Sequence, residues 1–419
     1  MSGHGERLRF FLGAFGQPGH AFPMLALGAE LAARGHDVTY ETWSRWRDHV
    51  VANGMEFVAA PEYPVFPTRE GPLTPYEAVV MATGHTRRAI VQSRPDVVVH
   101  DILTLAPALA AELEGSPAAT LIPHVYPVAE PGFPPYAFGA RMPRTALGRT
   151  LWRVFDRPVE AGLHRGRAEL NDARRQLGLG PVGRYHGGLS RQLCMVGTLS
   201  ELEYPRRWPE HVRIVGPLIW EPPYEATEPP PGEAPLVLVA PSTAQDPDHR
   251  LLRAALAGLA DEPVRVIATW NRRPLPGPAA VPANTRLVEW VSYARTMPGC
   301  ALVICHAGHG TLVRALVSGA AVLAVPHAGD MAENAARARW AGVGMQLPWP
   351  LLSRHTLRAT TRRTLSTQSL HAAAQRLAGS TSAGAGAARA ADLVQELALR
   401  HSGPRGPAAR ATRASDSGP

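Results

Sequence analysis

A chain of 419 residues has room for two ordinary domains, and 45% hydrophobic content is enough to build their cores. No uninterrupted apolar run reaches membrane-spanning length, and the short apolar piece before Phe15 runs at once into Gly, Gln, Pro and His, a poor signal peptide. All 43 basic residues are arginine, so the net charge of +8 points to GC-rich coding and a modest pull on anions, not to a nucleic-acid surface.

Three cysteines, Cys194, Cys300 and Cys305, form no paired framework, which fits a reducing cytoplasm. Leu8 to Leu12 reads as a buried strand, followed by Gly13-Ala-Phe-Gly-Gln-Pro-Gly-His20, a loop dense in turn residues. Pro23 then stands where a first-turn proline would open a helix with Leu27, Leu31 and Ala32 on its apolar face. Gly35 closes it, and Val38 to Thr42 is the next strand. Strand, loop, helix and strand make the βαβ unit of a parallel sheet. Pro95 to Asp101 is another strand, ending in a carboxylate before a helix from Thr104 to Glu112.

Pro61 to Tyr76 and Pro123 to Pro143 are rich in Pro, Gly and aromatic residues and have no periodicity. Phe66, Tyr76, His124, Tyr126, Phe133, Tyr136 and Phe138 either stack on an apolar ligand or only pack these loops. A helical region, Leu151 to Leu177, precedes a strand from Cys194 to Thr198. The proline-rich acidic stretch from Glu221 to Pro235 reads as an inter-domain linker.

A second parallel sheet begins at Leu236 to Ala240, with Pro241-Ser242-Thr243 as its exit loop. The helix Arg250 to Leu259 and the strands Val264 to Thr269 and Arg286 to Glu289 continue it. Asp246-Pro-Asp248 lies at a helix start, where acidic caps are favourable, and is not assigned to a metal. The apolar run Ala301 to Ile304 is broken by Gly308 and Gly310, behind which Leu312, Ala315, Leu316 and Gly319 recur at helical spacing.

Thr311 falls at the expected N-cap of that helix. A helix N-terminus with glycines at the turn is suited to bind an anion. His306 and His309 flank the turn. Their H-x-x-H spacing, with His327 nearby, is a poor metal site, because the pair sits on a glycine turn and no carboxylate or thiolate is placed to complete a shell. A further strand, Ala321 to Val325, ends in Pro326-His-Ala-Gly-Asp330. Helices at Ser353 to Leu365, Leu370 to Leu377 and Ala383 to Leu399 follow. From His401 the composition is that of a disordered tail.

His-x-Gly-x-Gly-Thr from His306, then Pro-x-x-Gly-Asp from Pro326 and Glu-Asn-Ala from Glu333, resembles the nucleotide-sugar signature of family 1 glycosyltransferases, nearest the bacterial macrolide and antibiotic enzymes. The resemblance implies a GT-B α/β fold: two facing Rossmann-like domains with a cleft between them. Residues 1–216 would be the acceptor-binding domain, 217–235 a linker, 236–382 the nucleotide-sugar domain and 383–400 a helix crossing back, with 401–419 as tail.

In the family the histidine of Gly-His-x-x-Pro is the base, and Gly19-His20-Ala-Phe-Pro23 matches it. Asp101 matches the aspartate that holds its other nitrogen. Trp290 matches a tryptophan that stacks on the nucleotide base, although Ser292 and Tyr293 depart from the usual Pro-Gln. Arg314 replaces the usual ribose-binding glutamate, and Met331 replaces a sugar-binding glutamine.

The donor-binding set is Ser242, Thr243, Trp290, Val291, His306, Gly308, His309, Gly310, Thr311, Asp330 and Met331, with no metal ligand and no cofactor. The expected activity is inverting, metal-independent transfer of a sugar, a deoxy sugar on dTDP before one on UDP, to a hydroxyl of an apolar natural product. A non-catalytic auxiliary partner of a transferase and a GT-B sugar-nucleotide epimerase are the alternatives. A dehydrogenase lacks its dinucleotide fingerprint here.

Overall fold

The computed structural model describes residues 6–63, 73–183, 189–242, 246–272, 275, 277, 280–327, 329–382 and 384–401. Thr243, Phe66 and the expected tail beyond His401 lie outside these residues. Among the described residues, the first half builds strands β1 (Arg9–Gly13), β2 (Asp37–Thr42), β3 (Glu56–Ala59), β4 (Val97–Asp101), β5 (Ala118–Ile122), β6 (Leu193–Val196) and β7 (Val212–Ile214). Its helices are α1 (Pro18–Ala33), α2 (Arg47–Ala52), α3 (Pro75–Ser93), α4 (Leu105–Leu113), α5 (Ala146–Trp152) and α6 (Asp156–Gln176).

The second half builds β8 (Leu236–Ala240), β9 (Arg265–Thr269), β10 (Thr285–Val288), β11 (Leu302–Cys305), β12 (Ala321–Ala324) and β13 (Gly344–Gln346). Its helices are α7 (Arg250–Leu259), α8 (Tyr293–Thr296), α9 (His309–Val317), α10 (Met331–Trp340), α11 (Arg354–Ser366), α12 (Gln368–Ser380) and α13 (Ala385–His401). No described helix is long and apolar enough to cross a membrane.

Every strand pair is parallel. The strand orders are β3-β2-β1-β4-β5-β6-β7 and β10-β9-β8-β11-β12-β13. Parallel strands are covered by helices on both faces and so read as unbroken apolar runs, as in Leu-Val-Leu-Val-Ala of β8, which is buried throughout. Both orders reverse direction between their first and fourth strands, β1/β4 and β8/β11. Open α/β sheets bind ligands beyond the carboxyl ends of the strands at that switch point. These are two Rossmann-like domains of the GT-B type.

Helix α13 returns to the first sheet. Ala387, Ala390, Ala391, Val394, Leu397 and Ala398 recur at helical spacing and bury among Leu25, Leu27, Leu31 and Val38. The Arg389 Nε donates to the Val215 carbonyl at 2.7 Å. At Gly386 a Cβ would meet the Pro217 carbonyl oxygen at 2.2 Å, so only glycine lets the helix start so close to that segment.

Three helix starts differ from the sequence reading. Pro18, not Pro23, takes the first turn of α1, and Pro23 lies inside the helix. Tyr76 belongs to α3, whose start is fixed by a Thr74–Glu77 capping box, not to a loop. The N-cap of α9 is Gly308, not Thr311, because Ala307 adopts φ +62° and turns the chain earlier. The region expected to be helical from Leu151 divides into α5 and α6 at residues 153–155.

Candidate active site

The carboxyl ends of β1 and β4 open a crevice at the first switch point. Starting α1 at Pro18 places His20 in its first turn, on that crevice. Its Nδ1 lies 2.8 Å from Asp101 Oδ1. Asp101 ends β4, is 1% exposed, and its second oxygen lies 3.4 Å from Thr104 Oγ1. A carboxylate only accepts, so Nδ1 carries the proton and the basic lone pair of His20 is on Nε2. Burial works against protonation of His20. The charge and hydrogen bond of Asp101, helped by the charge of Asp330, outweigh it and raise the pKa above the ordinary histidine value.

The second switch point carries the glycine turn. Among the described residues, a Cβ built at Gly308 or Gly310 would meet no atom within 4 Å beyond its chain neighbours and its own helix backbone, which leaves the space above the start of α9 open. His306 lines this space with both ring nitrogens near other protein groups: its Nδ1 accepts from the Ser242 N–H at 2.9 Å and its Nε2 lies 3.5 Å from Asp246 Oδ2. The fold therefore does bring a carboxylate to His306. That carboxylate also caps α7, accepting from the N–H groups of Arg250 and Leu251 at 2.8 and 3.0 Å.

His309 diverges to the other side, its Nδ1 donating to Asn334 Oδ1 at 3.3 Å. The Asn334 amide in turn donates to the Ala307 carbonyl at 3.0 Å and to Asp330 at 3.1 Å. Burial pushes His309 down to about 3, so it stays neutral. The turn after β11 is thus tied to the start of α10.

Farther along the cleft, Trp290 is half-buried, not a core residue. The Arg272 guanidinium stands 5.3 Å from its ring centre, and the Tyr224 ring is tilted against it at 5.6 Å. Arg314 reaches Glu221 at 3.0 Å and also donates to the Trp220 carbonyl. Glu221 accepts as well from Ser292 Oγ at 2.6 Å and from the N–H groups of Tyr293 and Ala294 at 3.2 and 3.1 Å. A carboxylate thus stands beside Arg314 after all, supplied by the segment between the sheets.

Two cavities result. One of about 330 Å³ lies between the two sheets and is lined by Trp290, Glu221, Arg314, Ser242, the turn from His306 to Thr311, and Met331. The other, about 780 Å³, is lined mainly by the first half, with Asp330 from the second, and is mostly apolar. His20, His124 and Asp330 line both, so the imidazole stands where the cavities meet.

Residues 253–397 match the family described as erythromycin biosynthesis protein CIII-like, C-terminal domain. The chain is 26% identical to 4'-demethylrebeccamycin synthase of Lentzea aerocolonigenes, over 90% of this chain and 97% of that one. It is 28% identical to O-mycaminosyltylonolide 6-deoxyallosyltransferase of Streptomyces fradiae, over 93% and 98%. The chain is a GT-B glycosyltransferase.

Solved GT-B glycosyltransferases superpose along nearly the whole length. The calicheamicin glycosyltransferase CalG4 gives a TM-score of 0.73 at 24% identity, covering 94% of this chain and 99% of that one. The glycosyltransferase VinC, solved in complex with dTDP, gives 0.64 at 20% identity, covering 94% and 100%.

In this glycosyltransferase the cleft between the sheets gathers His20, Ser242, Trp290, Val291, His306, Gly308, His309, Gly310, Thr311, Asp330 and Met331 on one surface. Of the aromatic candidates, Tyr76, His124 and Tyr136 line the larger cavity. Tyr126 packs on Trp208 at 5.5 Å, Phe133 on Tyr204 at 6.0 Å and Phe138 on Phe155 at 5.5 Å. Sequence reasoning missed Asn334 and Glu221 as parts of the site. Asn334 carried a signal, standing inside the Glu-Asn-Ala motif. Glu221 carried none, because a linker carboxylate looks like any solvated charge.

Proposed function

We propose that this glycosyltransferase moves a sugar from a nucleoside diphosphate donor to a hydroxyl of a small, largely apolar natural product, with inversion at the anomeric carbon. One observation carries the reading: His20, oriented by Asp101, stands at the junction of a cleft with an open helix N-terminus and a mostly apolar cavity. In this scheme the donor lies in the cleft and the acceptor in the cavity, so that Nε2 of His20 takes the acceptor proton as the oxygen attacks. The acceptor approaches the face opposite the diphosphate. The backbone N–H groups at Gly308 to Gly310 meet the departing charge at the positive end of α9, so no metal is invoked. Residues 1–216 then form the acceptor half and 236–382 the donor half, joined by 217–235 and strapped by 383–400.

A dTDP-linked deoxy sugar fits better than a UDP-sugar. The Glu221 carboxylate already receives four donors, from Ser292, Tyr293, Ala294 and Arg314, which fills its acceptor positions and leaves none for a ribose 2′-hydroxyl. Met331, at the start of α10, offers no hydrogen bond to a sugar hydroxyl. Equal turnover with dTDP- and UDP-hexoses would remove this preference.

The central experiment is His20→Ala. Transfer should fall by about 10²- to 10⁴-fold, the usual contribution of general base catalysis. The thermal shift produced by dTDP should persist, because a nucleotide bound only to the folded form raises stability by about 2.7 kcal/mol at a hundred times its Kd. An unchanged rate would take His20 out of the mechanism. No shift with any nucleotide in the wild type would favour an auxiliary protein over an enzyme.

A further inference from the structure

We propose that the cavity beside His20 takes an acceptor bearing a basic amine, held as its ammonium by the buried carboxylate of Glu41 inside a ring of aromatic faces. This rests on the acceptor-cavity reading above and names the chemistry of the ligand.

Glu41 lies near the carboxyl end of β2 and lines this cavity, yet it is only 2% exposed. Its one hydrogen-bond donor among the described residues is the Thr86 hydroxyl, which stands 3.1 and 2.9 Å from its two oxygens and has a single proton to give. His85 Nε2 is 3.8 Å away and faces the Ala59 carbonyl instead, at 3.0 Å. A carboxylate buried with most of its acceptor capacity unused is costly unless a partner arrives. That partner must bring donors, and a cation repays the most.

The charge of the lining agrees. All basic residues of the chain are arginine and its net charge is +8, yet among the described residues no arginine lines this cavity, whereas Glu41, Glu62 and Asp330 do. Among the described residues, the remaining ionisable groups facing it are His20, His124 and tyrosines. Tyr63, Tyr76 and Tyr136 bring further rings to the lining, and aromatic faces attract a cation; Trp43, packed edge-to-face with Phe15 at 4.9 Å, already holds the Arg45 guanidinium 4.7 Å from its ring centre. Burial also pushes Glu41 up to about 7, against the help of the Thr86 hydrogen bond, so this carboxyl is poised to ionise. An ammonium beside it would draw the group into its charged form.

Two naphthols test this by calorimetric titration of the full chain, one carrying a dimethylaminomethyl group and the other an isobutyl group of the same shape. At mildly alkaline pH the amine should bind the wild-type protein at least about tenfold more tightly, the factor that one charge-assisted contact contributes. Glu41→Gln should erase that preference while binding the isobutyl naphthol as the wild type does. The wild-type comparison needs no variant, so a misfolded Glu41→Gln leaves the test standing. Equal affinity of the two naphthols, or a preference that survives Glu41→Gln, overturns the amine assignment and leaves the acceptor cavity in place. Failure of both naphthols to bind overturns the acceptor-cavity reading and this inference with it.

Discussion

Asp101 sets which lone pair His20 can use and how strongly it holds a proton, and the two effects can be separated in one variant. In Asp101→Asn the charge that raises the histidine pKa is gone while burial, which lowers it, stays. The proposed base acts only when neutral, so transfer should rise with pH through that pKa. The acidic limb of the kcat/KM profile should therefore move to lower pH in the variant. Its plateau should drop by about 10²- to 10⁴-fold, because an asparagine no longer selects the tautomer or stabilises the imidazolium. A limb that stays in place would mean that another group titrates.

The two residues lie 81 positions apart, and nothing in their spacing says they touch. Each was legible as a residue at the carboxyl end of a strand, and the dyad came from the family resemblance. Glu41 was legible only as part of a strand, because the demand that a buried carboxylate makes on its surroundings is set by α3 and the Thr86 that it brings.

At the scale of elements, strands were read more faithfully than helix starts. The runs at Leu236 and Ala321 are apolar because both faces are covered, and their limits follow from composition. A helix start follows from φ at one or two residues, and Ala307 at φ +62° carries no sequence signal. The glycine turn is also held from outside its own segment by Asn334 of α10, whose side chain is fully buried.

Asn334→Ala should therefore do more than remove one side chain. It strands the Ala307 carbonyl and frees Asp330, a loss of about 1–3 kcal/mol in urea unfolding for each buried group left unpaired. The open N-terminus of α9 should lose its fixed aim, weakening dTDP in calorimetry. Unchanged dTDP affinity in a destabilised variant would confine Asn334 to stability.

At the scale of the molecule, the two halves are joined by a buried ion triad. Arg337 of α10 pairs with Glu333 at 2.7 Å in its own half and with Glu203 at 2.7 Å in the other, where it also donates to the Leu202 carbonyl at 3.1 Å. Its guanidinium stacks 4.3 Å over the Tyr204 ring, and Glu203 receives the Tyr126 N–H at 2.6 Å. Arg337→Met keeps much of the volume and removes the charge, leaving two carboxylates in the interior without their cation. Breaking a buried pair from one side costs about 3–5 kcal/mol.

The pH dependence of that loss identifies its cause. Stranded buried carboxylates have folded-state pKa values above their unfolded ones, so the folded variant binds more protons than the unfolded chain. Its stability then falls as pH rises through the neutral range. The deficit against wild type, measured by urea unfolding, should be smallest in mild acid and widen toward alkaline pH. An equal deficit at both ends would assign the loss to packing on Tyr204 instead of to charge. Because α10 begins beside Asp330, which lines both cavities, the variant should also transfer sugar more slowly than its dTDP affinity accounts for: in the proposed reading the diphosphate is held at the start of α9 in the second half, while the alignment of the two cavities depends on both halves.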